Sequence, residues 1–174
     1  GTNSITNTFT QTSTYNLVEV TTAGTPSCKQ PQTGSVVITI LPLPTVVIAS
    51  DTTVCNGSSA TITFTGTPNA TVTYTINGGS NQTIKLDNSG TATITNTYTT
   101  TTVYSLVSVM SEGTPSCSQP QTGTVTITVV PPPTATISSN ATICSGDTVT
   151  VTISGTPNAT VIYTVNGGSN QTIV

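Results

Sequence analysis

Residues 66–84 read GTPNATVTYTINGGSNQTI, and residues 155–173 read GTPNATVIYTVNGGSNQTI. The two stretches differ only at Thr73 against Ile162 and Ile76 against Val165. Within the first, Val72, Tyr74 and Ile76 alternate with threonines, the period of a half-buried strand. Asn77-Gly78-Gly79 then supplies the positive-φ residues of a tight hairpin. A second pair, GTPSCKQPQTG from Gly24 and GTPSCSQPQTG from Gly113, recurs at the same offset, 89 residues in both cases (113 minus 24, 155 minus 66). A period that long is a whole domain, well beyond the ~20–50 residues of a solenoid repeat.

Proline-rich junctions, Leu41-Pro42-Leu43-Pro44 and Val130-Pro131-Pro132-Pro133, recur at that offset too. Proline cannot continue a central ladder and it stiffens a linker, so these mark domain boundaries. Residues 45–133 are read as one complete repeat, residues 1–44 as the C-terminal part of another (strands E to G), and residues 134–174 as the N-terminal part of a third (strands A to C′). Joined, the two partial repeats lack only the counterpart of Leu86-Asp87-Asn88-Ser89, so the chain reads as a circularly permuted pair of domains. Two arrangements follow: a window on a long continuous repetitive chain, or separate subunits that share a split sandwich head to tail. The first residue is Gly, and a processed or cut N-terminus is expected.

The complete repeat divides into seven strands, the count expected of an all-β, immunoglobulin-like sandwich. They are Thr45–Ala49 (A), Ala60–Thr65 (B), Thr71–Ile76 (C), Gln82–Leu86 (C′ or D), Thr91–Thr95 (E), Val103–Val109 (F) and Thr124–Val129 (G). Alternation turns Ile62, Phe64, Val72, Tyr74, Ile76, Ile94, Val125, Ile127 and Val129 inward and leaves the threonines to solvent. Strand F breaks the alternation: Tyr104 and Leu106 fit one face, yet the next large apolar residue on it is Val109. Ser108 also aligns with Glu19, which would not be buried unpaired. A β-bulge near Val107 is therefore expected.

Charge is scarce: Glu19, Asp51, Asp87, Glu112 and Asp147 against Lys29 and Lys85, with no Arg and no His. A nucleic-acid partner would need a basic stripe, and none is present. No run approaches the ~18–20 apolar residues of a membrane helix, so membrane insertion is not expected. Without His to serve as a base, and with the carboxylates scattered among turns, no catalytic constellation assembles. A non-enzymatic protein without cofactor or metal is the reading.

Four cysteines without a C-x-x-C pair suit disulfides in an oxidising compartment better than zinc. The simple pairing is Cys55 with Cys117 within the complete repeat, and Cys144 with the Cys28 of a neighbouring unit. Four free thiols are the alternative, because sequence alone does not fix connectivity.

The stretches VCNGSSATITFTGTP at Val54–Pro68, ICSGDTVTVTISGTP at Ile143–Pro157 and TTTVYSLVSV at Thr100–Val109, followed by a loop cysteine, resemble the Ig-like and PKD-like repeats of giant secreted proteins of Bacteroidota. That resemblance implies an extracellular, cell-surface setting and a role in adhesins, including those used in gliding. Gly113–Gln121 is longer than the corresponding loop of that family.

N-x-S/T triplets begin at Asn56, Asn69, Asn81, Asn140, Asn158 and Asn170, all in or beside expected turns. Each reads either as a glycan acceptor or as an unmodified turn asparagine. Asp51-Thr52-Thr53 and Asp147-Thr148-Val149 resemble the acceptor motif of the O-glycosylation system of Bacteroidota, which makes Thr52 and Thr148 candidates. The sequence thus favours a structural module of an extracellular filament or adhesin stalk whose partners are copies of itself or adjacent repeats. The alternative is a carbohydrate- or cell-binding adhesive module, disfavoured by the absence of Trp and by only two Phe.

Overall fold

The computed structural model describes residues 1–50, 52–139 and 141–174. It is all-β. In chain order the strands are β1 (Ser13–Asn16), β2 (Glu19–Thr21), β3 (Lys29–Pro31), β4 (Ser35–Ile38), β5 (Val46–Ala49), β6 (Thr52–Cys55), β7 (Ser58–Gly66), β8 (Thr71–Ile76), β9 (Gln82–Lys85), β10 (Thr91–Tyr98), β11 (Thr102–Met110), β12 (Ser118–Pro120), β13 (Thr124–Val130), β14 (Ala135–Ser138), β15 (Thr152–Gly155), β16 (Val161–Tyr163) and β17 (Gln171–Ile173).

The central stretch builds two sheets around a shared core, an arrangement compatible with a β-sandwich. One sheet has the order β10-β7-β5; the other runs β6-β13-β11-β8-β9, with β12 added beside the far end of β11. Ile62 and Phe64 on β7, Val72 and Tyr74 on β8, Tyr104, Leu106 and Val109 on β11, and Val125 and Ile127 on β13 are all buried, as alternation requires. Ile76, Ile94 and Val129 pack at the margin of this cluster, half-buried where full burial was expected. Val46, Ala60, Ala70, Leu86 and Tyr98 complete it. Every buried hydrophobic residue among those described falls between Val46 and Ile127.

The local features follow from named residues. Asn77 and Gly78 take φ of 51° and 68°, turning β8 back onto β9. The register of β11 on β8 slips between Leu106 and Ser108, the expected bulge, and this returns Val109 to the core beside Val72. Glu19 stays at the surface, 3.2 Å from Lys29 Nζ. A Cβ at Gly66 would overlap the Thr45 carbonyl oxygen, so the closing turn of the sheet requires glycine there. On the solvent face of the β7–β10 pair, the Thr61 and Thr95 hydroxyls meet at 2.8 Å.

The terminal stretches form only two-stranded pieces, and these reproduce the central registers at an offset of 89. Ser13↔Ile38 in β1–β4 matches Thr102↔Ile127, and Val20↔Gln30 in β2–β3 matches Val109↔Gln119. Ile137↔Ile153 in β14–β15 matches Ile48↔Phe64, and Ile162↔Thr172 in β16–β17 matches Thr73↔Thr83.

Candidate functional site

Three pairings of the central stretch join its first half to its second: β7 with β10, β8 with β11, and β6 with β13. Their counterparts in the terminal stretches would join residues 147–155 to 2–9, 160–165 to 13–21 and 141–144 to 35–41. In each case the two sides lie at opposite ends of the chain. Residues 2–9, 141–144 and 147–151 form no strand, whereas their central equivalents do. A strand persists in the terminal stretches where its partner lies in the same piece and is missing or shortened where it does not. This is the behaviour expected when a ladder has lost one side.

The side chains show the same deficit. Leu17 is 65% exposed, while its counterpart Leu106 is 7% exposed. Val20 stands at 55% against 0% for Val109, and Val151 at 55% against 0% for Ile62. Val36 and Val149 are likewise exposed, where Val125 and Ala60 are buried. Each such side chain gains about 1.5–3 kcal/mol when taken out of water.

The cysteines occupy opposite poles of the central sandwich. Cys55 ends β6 beside Val130, past the pole where Thr102 faces Ile127. Cys117 belongs to the hairpin at the other end of β11, where its carbonyl accepts the Ser111 N–H at 2.9 Å. The length of β11 separates them, roughly 25 Å at ~3.3 Å per residue, whereas a disulfide needs Cα atoms within about 7 Å. The expected Cys55–Cys117 bond is therefore corrected: these cysteines are free and cannot meet within one sandwich. Cys144 and Cys28 are free as well, and as the counterparts of Cys55 and Cys117 they face the same separation within one unit. Sequence distance conceals this, because the short, polar strand β6, which carries Cys55 to the far pole, has no alternation to announce it.

Both poles are tied to the proline linkers. The Asn56 N–H donates to the Val130 carbonyl at 3.0 Å, just before Pro131. At the other pole Gln119 Nε2 donates to the Pro44 carbonyl at 2.7 Å, where the chain enters the sandwich. Neither Asn56 nor Gln119 was singled out in the sequence as a linker anchor.

Of the candidate acceptors, Asn56, Asn81, Asn158, Asn170 and Thr148 are exposed, and Asn69 and Thr52 are half-buried. Asn69 and Asn158 adopt left-handed φ of 59° and 61°, a turn role sufficient to account for asparagine. Asn140 and the Asp51 of the Thr52 motif lie outside the described residues. Thr52, Thr53, Thr126 and Thr128 line a shallow open groove between β6 and β13, polar and without an aromatic platform.

Among the described residues, no three His, Cys, Asp or Glu side chains converge to hold a metal. Asp87 is occupied by its own turn: the Ser89 hydroxyl, with the Thr91 and Ser89 N–H groups, holds its carboxylate down to about 2. The Tyr98 and Tyr104 hydroxyls bond to each other at 3.1 Å in the core, and burial, then the bond to Tyr104, pushes the Tyr98 phenol well up. These groups stabilise turns and packing and are not poised for proton transfer. No protein-family model matches the chain, and no match was found among curated proteins.

Proposed function

We propose that the chain is a structural module of an extracellular filament or adhesin stalk, assembled head to tail from immunoglobulin-like sandwiches with a period of 89 residues. Residues 45–133 are the complete sandwich. Residues 1–44 and 134–174 are parts of flanking sandwiches, each completed by the adjoining repeat or, head to tail, by another copy of the chain. The observation that carries this reading is the recurrence of the central strand registers, at an offset of 89, in both terminal stretches. The exposed Leu17, Val20, Val36, Val149 and Val151 supply the matching apolar faces.

The surface suits a stalk. It bears few charges, many threonines, and salt bridges only between exposed groups, Lys29–Glu19 and Lys85–Glu112 among the described residues. In this reading the protein performs no catalysis and takes no cofactor. Its location outside the cell rests on the sequence resemblance and on the cysteines.

Electron microscopy of the purified chain tests the proposal. A nine-residue strand such as β7 spans roughly 30 Å and a three-residue proline linker roughly 9 Å, so threads with an axial repeat of about 40 Å per sandwich are expected. Discrete compact particles at every concentration would overturn it.

A further inference from the structure

The polar placement of the cysteines, together with the head-to-tail reading above on which this step rests, assigns each cysteine a partner in a neighbouring sandwich. We infer that Cys55 of one copy bonds Cys28 of the next, and that Cys144 of the first bonds Cys117 of the second. Every contact between copies then carries two disulfides, one across each proline linker.

The geometry follows from two hydrogen bonds at the linkers. Cys55 lies beside Val130, held by the Asn56-to-Val130 bond, at the pole where the chain leaves its sandwich. In the following sandwich the hairpin cysteine is Cys28, whose neighbour Gln30 is the counterpart of Gln119. Gln119 binds Pro44, so Gln30 of the second copy reaches the equivalent carbonyl, that of Pro133. The two cysteines are thus anchored at opposite ends of Val130-Pro131-Pro132-Pro133, a stiff segment of about 9 Å. The other junction is built alike: Cys144 falls beside Leu41 of the second copy as Cys55 falls beside Val130, and Cys117 of that copy sits two residues from Gln119, bound at Pro44. Cys28, Cys55 and Cys144 are exposed and Cys117 is partly so, as bonds between sandwiches require.

The chemistry is thiol–disulfide exchange with a small-molecule disulfide as oxidant. Two S–H bonds break and one S–S bond forms between the protein sulfurs. The two electrons and two protons pass to the oxidant, which leaves as two thiols.

The test is a non-reducing denaturing gel of the 174-residue chain after exposure to oxidised glutathione, with light scattering of the same samples before denaturation. The inference predicts a ladder that collapses to one band on reduction, and peptic peptides joining Cys55 to Cys28 and Cys117 to Cys144. Because two bonds hold each contact, Cys28→Ser alone keeps the ladder. The double variant Cys55→Ser/Cys117→Ser removes one sulfur from each bond and abolishes the ladder while leaving assembly in native buffer intact. A ladder that survives the double variant, or a Cys55–Cys117 peptide, overturns the inference. So do free thiols in material that scatters as assemblies, an outcome that leaves the head-to-tail reading standing. Absence of assembly in native buffer overturns both.

Discussion

Phe64 and Val151 show how one residue type of position carries opposite consequences in the two halves of this chain. Phe64 is fully buried against Tyr74, whose ring centroid is 5.3 Å away, so Phe64→Ala should cost about 3–5 kcal/mol in urea unfolding of the central sandwich. Val151 matches the buried Ile62 but is exposed, so Val151→Ala should leave the unfolding midpoint of unassembled chain unchanged and weaken assembly. Asp87 gives a pH prediction. Its carboxyl falls from its usual 3.8 to about 2 in the folded state, so the folded state is favoured by its ionised form. That contribution is fully present above about pH 4 and is lost as pH falls toward 2. Urea midpoints should therefore drop between pH 5 and about 2.5, and Asp87→Asn should flatten this component of the drop. The inward positions on β7, β8 and β13 were legible in the sequence because threonine and aliphatic residues alternate there strictly. Tyr98 and Leu86 were not, since each sits where a strand ends and the alternation has no following residue to declare it.

Among the elements, the bulge in β11 was readable because Val109 and the Glu19 counterpart of Ser108 cannot both be accommodated by an unbroken period of two. β6 and β12 were not readable. Each is short, polar and next to a turn signal, and each exists because a neighbouring strand offers it a free edge: β13 for β6, β11 for β12. The Cys55–Cys117 pairing is excluded through the same element, since β6 ends with Cys55 at the pole opposite Cys117. Strands that depend on an edge also explain why residues 147–151 are unformed here. Thr150 is the counterpart of Thr61, which pairs with Thr95. Thr150→Pro should leave the circular dichroism and unfolding of dilute chain unchanged, because no strand exists there to break. It should abolish assembly, because proline's ring and fixed φ do not fit the interior of a paired strand. Loss of central-sandwich stability in that variant would contradict the assignment.

At the scale of the whole molecule, the proposed reading makes residues 45–133 one sandwich and assigns the flanking stretches to adjoining ones at a period of 89 residues. What the sequence could not convey is that the terminal stretches keep their own registers while residues 2–9, 141–144 and 147–151 form no strand. In the head-to-tail reading, another copy supplies the partners of these residues, so the chain associates with itself. Sedimentation velocity of the 174-residue chain over a wide concentration range tests it most directly, with and without excess of a peptide spanning residues 1–41. The sedimentation coefficient should climb with concentration and fall when the peptide occupies the open half at residues 134–174. A single monomer boundary, unmoved by concentration or peptide, would contradict it.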